Sequence, residues 1–168
     1  KEEINKNVVD MRGIELERIN NLLKSDGLHV KEVMADGHCM YRAVADQLRF
    51  IGQNDMNEAL YARMRAAAAA YMREHPDEFN PFLGLTDDGV YVLSGIGTMK
   101  AANPPTVARF AEYAAYCDNV ENTAEWGGQL ELRALSSALQ RPIWVFAADA
   151  PLLRMGDEFE GVEPLKVT

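Results

Sequence analysis

Ala35-Asp36-Gly37-His38-Cys39-Met40-Tyr41-Arg42-Ala43 is the stretch around which the rest of the sequence is ordered. It follows an alternating run, Leu28-His29-Val30-Lys31-Glu32-Val33-Met34, which predicts a short strand, and it opens a helical pattern. Tyr41, Val44, Ala45 and Leu48 recur at i, i+3, i+4 and i+7, one apolar face of an α-helix. At about 100° per residue, Cys39 lies roughly 160° from Tyr41, on the side opposite that face. The thiol is therefore expected in the first turn of a helix, pointing away from the core beneath it. First-turn N–H groups have no helical acceptor, and the helix dipole adds partial positive charge. Both favour negative charge on sulfur, the form in which cysteine attacks. Asp36-Gly37 supplies a tight turn just ahead, and its N–H groups could converge with that of Cys39 on an oxyanion. An Asp-Gly turn and a half-buried cysteine are also ordinary structural features, so this stretch alone leaves nucleophile and packing residue both open.

A chain of 168 residues suits one domain with a true hydrophobic core. Its net charge of −9 argues against nucleic acid as the main partner and suits a basic protein partner. No apolar run approaches the ~18–20 residues that span a bilayer, so no membrane association is expected. Three histidines and two cysteines show no metal-ligand spacing, and no glycine-rich phosphate loop is present, so no cofactor and no metal are expected. Cys39 and Cys117 do not make a disulfide framework, and Lys1-Glu2-Glu3-Ile4 is no export signal, which points to the reducing cytosol.

Residues 10–24 read as a helix with Met11, Leu16, Ile19, Leu22 and Leu23 on a broad apolar face, ended by Ser25-Asp26-Gly27. The helix of Cys39 closes near Gly52. A second begins near Asp55, where Asp55 with Glu58 resembles a capping box, and is expected to bury Leu60, Met64, Ala67 and Tyr71. Arg73, His75 and Pro76 end it, and Phe79, Phe82 and Leu83 are expected to anchor a short helical turn to the core. Residues 84–105 break the pattern around one candidate strand, residues 90–93, and a loop of that length reads as substrate-facing. Thr106 caps a further helix with Val107, Phe110, Ala111 and Ala114 inward. Cys117 falls on the same face as Phe110 and reads as a buried structural cysteine.

Trp126-Gly127-Gly128 precedes a helix through Leu130, Leu135, Ala138 and Leu139, stopped by Pro142. Ile143-Trp144-Val145-Phe146-Ala147-Ala148 is continuously apolar, the mark of a central strand buried on both faces. Leu152-Leu153-Arg154-Met155 and Leu165-Lys166-Val167 supply further strands. Helices early and strands late predict an α+β domain, with helices packed around a small central β-sheet.

Two stretches taken together are specific. Asp36-Gly37-His38-Cys39-Met40-Tyr41-Arg42-Ala43, followed some ninety residues later by Trp126-Gly127-Gly128-Gln129-Leu130-Glu131-Leu132, resembles the ovarian-tumour (OTU) family of cysteine proteases. The wording of both segments and the Asn122-Thr123-Ala124 lead-in look closest to its group-6 branch, over roughly residues 28–168. In that branch a charged helical leader precedes the domain, a part that residues 1–24 would play, with the protease domain over residues 25–168.

The resemblance implies a papain-like, OTU-type fold and a thiol hydrolase of the ubiquitin-conjugation pathway. Its partners would be ubiquitin or polyubiquitin conjugates, and it would act as a monomer in the cytoplasm. Cys39 maps to the nucleophile and Asp36 to the family's acidic active-site position. The backbone amides of Gly37, His38 and Cys39 would form the oxyanion hole, and Trp126, Gly127 and Gly128 would line the substrate cleft. Arg42, on the exposed side of its helix, is expected to pair with a surface acid.

The family's catalytic histidine lies beyond the strand resembled by Leu165-Lys166-Val167-Thr168, so the domain is expected to be truncated before it and impaired as it stands. His38 cannot replace it, because adjacent helical residues diverge by about 100°. His29 and His75 are expected at the surface. A non-catalytic ubiquitin-binding or protein-interaction module is the alternative that the missing imidazole suggests. A redox-sensing thiol is a third reading, for which no resolving cysteine is evident.

Overall fold

The computed structural model describes residues 11–52, 60–83, 90–93, 97–100 and 106–168, with residues 90–93, 97–100 and 106–111 described by backbone alone. The helix of Cys39, α2 (Cys39–Phe50), buries Tyr41, Val44, Ala45 and Leu48, the face its spacing predicts. Burying Val44 and Leu48 fully contributes roughly 1.5–3 kcal/mol each of apolar transfer.

The face packs into a core shared with α3 (Leu60–Glu74), α5 (Thr106–Asn122) and α6 (Gln129–Leu139). Beneath lies a three-stranded sheet in which β3 (Ile143–Ala147) is central, antiparallel to β4 (Ala150–Met155) and parallel to β5 (Leu165–Val167). Period-two alternation sends Ile143 and Val145 to the main core and Trp144 and Phe146 to the other face. There α1 (Met11–Leu23) closes a smaller cluster through Ile19 and Leu23. The apolar run of β3 thus serves two cores, and the α+β arrangement of helices around a small sheet is the one observed. Gln47 of α2 accepts a hydrogen bond from the Lys166 N–H at 3.1 Å, tying the helix to an edge strand.

The predicted strand at residues 28–34 does not form. Val30 N–H donates to the Asn20 side chain at 3.0 Å, and Leu28 and Val30 pack on the α1 cluster, so the alternation reflects packing on a helix rather than ladder pairing. The buried face of α3 is Leu60, Met64, Arg65, Ala68, Ala69 and Met72, with Ala67 and Tyr71 only half-buried. Arg65 is buried with them, so the face is rotated from the expected Leu60, Met64, Ala67 and Tyr71. The proposed cap at Asp55 and Glu58 lies outside the described residues.

After α3 comes α4 (Pro76–Phe79), which buries Phe79, whereas Phe82 is 70% exposed and anchors nothing. In α5 the buried residues are Tyr113, Tyr116, Cys117 and Val120, at i, i+3, i+4 and i+7, and Ala114 is exposed. The side chains of Val107, Phe110 and Ala111 lie outside the described residues. Between α4 and α5 the backbone shows an antiparallel pair, β1 (Val90–Leu93) and β2 (Gly97–Lys100), of which the sequence suggested only the first. The remainder of the expected substrate-facing loop is outside the described residues.

Candidate active site

Cys39 is the first residue of α2, half-buried and free of any disulfide. Three successive peptide units lead into it. Asp36 C=O accepts the Cys39 N–H at 3.1 Å. The next unit is held at both ends: Gly37 C=O accepts from Arg65 at 2.6 Å, and His38 N–H donates to Asp36 Oδ1 at 2.9 Å. His38 C=O accepts the Arg42 N–H at 2.9 Å, the first helical bond. Of the three amides expected to face an oxyanion, those of His38 and Cys39 therefore have internal acceptors here. The Gly37 N–H has none among the described residues.

Asp36 shapes this turn with its side chain as well. Besides the His38 N–H, its carboxylate receives Arg42 Nη2 at 3.0 Å, the surface acid expected for Arg42. That hydrogen bond, supported by the His38 amide, holds the Asp36 carboxyl below the usual carboxylate range, against a smaller opposing effect of burial.

The second predicted segment meets the first directly. Ala124 C=O lies against Gly37 so closely that a Cβ there would stand 1.6 Å from its oxygen. Gly127 lies over Met40 and Tyr41, the two residues after the thiol. Trp126, between the contacts, is 71% exposed, so it is no core residue. Gly128 is extended, and its N–H donates to Glu131 Oε2 at 2.6 Å, capping α6.

Tyr61, Arg65 and Tyr116 shape the site and escape a reading of the sequence, while Glu131, part of the Trp126 motif, gains a role the motif did not state. Tyr61 stacks on His38 with ring centroids 4.3 Å apart and lies under the Arg42 guanidinium at 4.3 Å. Arg65, one turn further along α3, is 2% exposed and donates from Nε to His38 Nδ1 at 2.9 Å. Tyr116, its phenol pushed up by burial and by the neighbouring carboxylate, donates to Glu131 Oε1 within the core. For Arg65 the one signal was its place amid the apolar run of α3; for Glu131 it was its position three residues after Gly128.

None of the three histidines is placed to take a proton from Cys39. An arginine N–H only donates, so His38 Nδ1 is an acceptor occupied by Arg65. His75 Nδ1 meets Tyr71 C=O at 2.9 Å, ten residues beyond Arg65 on the α3 side, about 15 Å along a helix axis. His29 is exposed between Leu28 and Val30, which pack on the α1 cluster on the other face of the sheet. Among the described residues no group of three or more His, Cys, Asp or Glu could hold a metal, and no helix is long and apolar enough to cross a membrane.

A family profile described as OTU-like cysteine protease matches residues 34–167, from the turn before Cys39 to the end of β5. The chain belongs to that family. Among its relatives are mouse "Deubiquitinase OTUD6B", 40% identical over 156 residues, and mouse "OTU domain-containing protein 6A", 37% identical over 145. The matches take in 91% and 86% of this chain but only 45% and 42% of those proteins, so the chain spans less than half their length. A solved structure titled "Structure of OTUD1 OTU domain" superimposes with a TM-score of 0.56 at 19% identity, covering 84% of this chain and 75% of that one. The OTU fold implied by the Asp36-Gly37-His38-Cys39 and Trp126-Gly127-Gly128 segments is thus the fold found.

Proposed function

We propose that this OTU domain is the catalytic part of a deubiquitinase, cutting the bond at the ubiquitin C-terminus. The observation that carries the reading is Cys39, solvent-reachable on the first turn of α2, with its approach turn pressed against the Trp126 segment. Cys39 Sγ attacks the terminal glycine carbonyl, and the tetrahedral oxyanion takes the Gly37 N–H. Collapse expels the lysine amine, which picks up a proton, and water then hydrolyses the thioester. The Cys39 N–H, bonded to Asp36 C=O at 3.1 Å, joins the oxyanion if substrate displaces that bond. Trp126 and Gly127 flank the channel for the extended ubiquitin tail.

The proton relay needs an imidazole beside Cys39, a place that neither His38 nor His75 takes here. The relatives named deubiquitinases support the reading, and the intact thiol speaks against a module that only binds ubiquitin. We place the protein in the cytosol as a monomer acting on ubiquitin conjugates, a compartment in which both free thiols persist.

Ubiquitin carrying a C-terminal electrophile is the test. The full-length protein is expected to form a covalent adduct that Cys39→Ala abolishes. An adduct that survives the substitution, or no adduct with the intact protein, would refute the proposal.

A further inference from the structure

Arg65 is buried without a carboxylate within ion-pairing distance among the described residues. Burying a guanidinium is costly unless its donors are matched. Here four of its five N–H bonds are. Nε donates to His38 Nδ1 at 2.9 Å, Nη1 to Val120 C=O at 2.7 Å, and Nη2 to both Gly37 C=O at 2.6 Å and Glu125 C=O. Its plane lies over the Tyr41 ring at 4.2 Å, where the ring's negative face replaces part of the lost hydration.

The acceptors belong to three separate segments: the turn before Cys39, the last turns of α5, and the stretch leading to Trp126. Only a rigid planar fork reaches all of them at once; a lysine ammonium is a single point. The decisive contact is with Gly37 C=O. That carbonyl and the His38 N–H belong to one peptide unit, whose other end is held by Asp36 Oδ1 at 2.9 Å. Rotation of this unit would swing the carbonyl toward the Asp36 carboxylate and take the His38 N–H away from it.

We propose that Arg65 is a positioning residue of the active site, locking the Gly37–His38 peptide and the His38 ring so that the Gly37 N–H and Cys39 Sγ keep their relative geometry. Its effect on ubiquitin cleavage rests on the deubiquitinase reading; its hold on the turn does not. A misplacement near 1 Å at a reacting centre can cost about 10²-fold in rate.

Arg65→Lys, Arg65→Met and the milder His38→Ala are made in the full-length protein, with folding checked by urea denaturation. Two measurements need no ubiquitin. The ¹⁵N shift of His38 Nδ1 should mark an unprotonated, hydrogen-bonded acceptor in the native protein, and that signature should be lost in Arg65→Lys. The rate of Cys39 alkylation by iodoacetamide should fall about tenfold or more in both Arg65 variants and less in His38→Ala. With a ubiquitin C-terminal fluorogenic substrate, kcat should fall about 10- to 100-fold while KM stays within about threefold, and Arg65→Lys should not rescue it.

Should the Arg65 variants fail to fold, His38→Ala and the native ¹⁵N shift decide. A donor-type Nδ1, or alkylation in His38→Ala unchanged from the native rate, then overturns the proposal. With folded Arg65 variants, alkylation within twofold of the native rate overturns it, because a merely structural arginine would lower stability alone. If the unaltered protein cleaves no ubiquitin substrate while alkylation responds as expected, the deubiquitinase reading fails and the positioning role stands.

Discussion

Ala124 and Gly37 touch through backbone alone: the Ala124 carbonyl oxygen occupies the space that a side chain on residue 37 would fill. Glycine is required there by close approach, and nothing flexible can yield. Gly37→Ala should therefore push the nucleophile turn and the Trp126 segment apart, costing about 1–3 kcal/mol of stability and most of the adduct formation. Gly128→Ala is the contrast. Its Cβ would meet Glu131 Oε2 at 3.5 Å, an ordinary contact on extended backbone, so only the poorer N-cap preference of alanine counts, at most about 1 kcal/mol. Gly127→Ala falls between them, since a Cβ there would meet the movable end of Met40 at 2.2 Å. Urea denaturation of the three variants checks the order; equal losses would mean that backbone contact is not what distinguishes them.

The two thiols should separate cleanly. Cys117 is fully buried in α5, and burial pushes its thiol up, so it offers neither access nor thiolate. Brief alkylation of the native protein should modify one cysteine of this domain, located by peptide mass spectrometry at Cys39. Cys117 should react only after denaturation. Labelling of Cys117 in native conditions would place it at the surface and remove it from the core.

Asp36 and Arg42 predict a dependence on acid. The carboxyl is held below its usual range in the folded state, so the stability it contributes is fully present above about pH 4 and is lost as pH falls through the lower folded value. Asp36→Asn keeps an oxygen for the His38 N–H and gives up the charge facing Arg42. The variant should be less stable than the native protein at pH 7, and the gap should close as pH falls below about 4. Urea midpoints at pH 7, 5 and 3 measure it. A gap unchanged at pH 3 would assign the effect to shape instead of charge.

What the sequence made legible follows from what each signal encodes. Helical periodicity placed α2 and the thiol on its first turn, because an apolar stripe at i, i+3, i+4 and i+7 has one way to be buried. The run at 143–148 marked a central strand for the same reason, although it hid the fact that two different cores share it. Arg65 stayed hidden because its acceptors lie far from it in the sequence. Val120 C=O, Gly37 C=O and His38 Nδ1 meet its donors from 55, 28 and 27 residues away, which no local pattern records, whereas Glu131 has one partner, Gly128, three residues off and only Tyr116 distant. The alternation at 28–34 misled for the converse reason: a period of two fits a strand, but the partner turned out to be α1.

Glu131 joins the cleft to the core, and its two oxygens can be tested separately. Oε1 accepts from the Tyr116 phenol and Oε2 from the Gly128 N–H at 2.6 Å, with the residue itself buried. Glu131→Gln puts an NH₂ donor opposite one of these two donors, at a cost of about 1–3 kcal/mol. Tyr116→Phe removes one donor from a buried carboxylate, with a cost of the same order. In the double variant the amide oxygen can serve Gly128 while the NH₂ faces an apolar ring, so no donor opposes a donor. The double loss should therefore fall short of the sum of the single losses by at least about 1 kcal/mol, read from urea denaturation. Strict additivity would show that the two residues do not share the carboxylate. Adduct formation then tells which oxygen matters to the cleft. Only Glu131→Gln can release Gly128, so it should slow labelling of Cys39 more than Tyr116→Phe does, even where the two variants are equally destabilised.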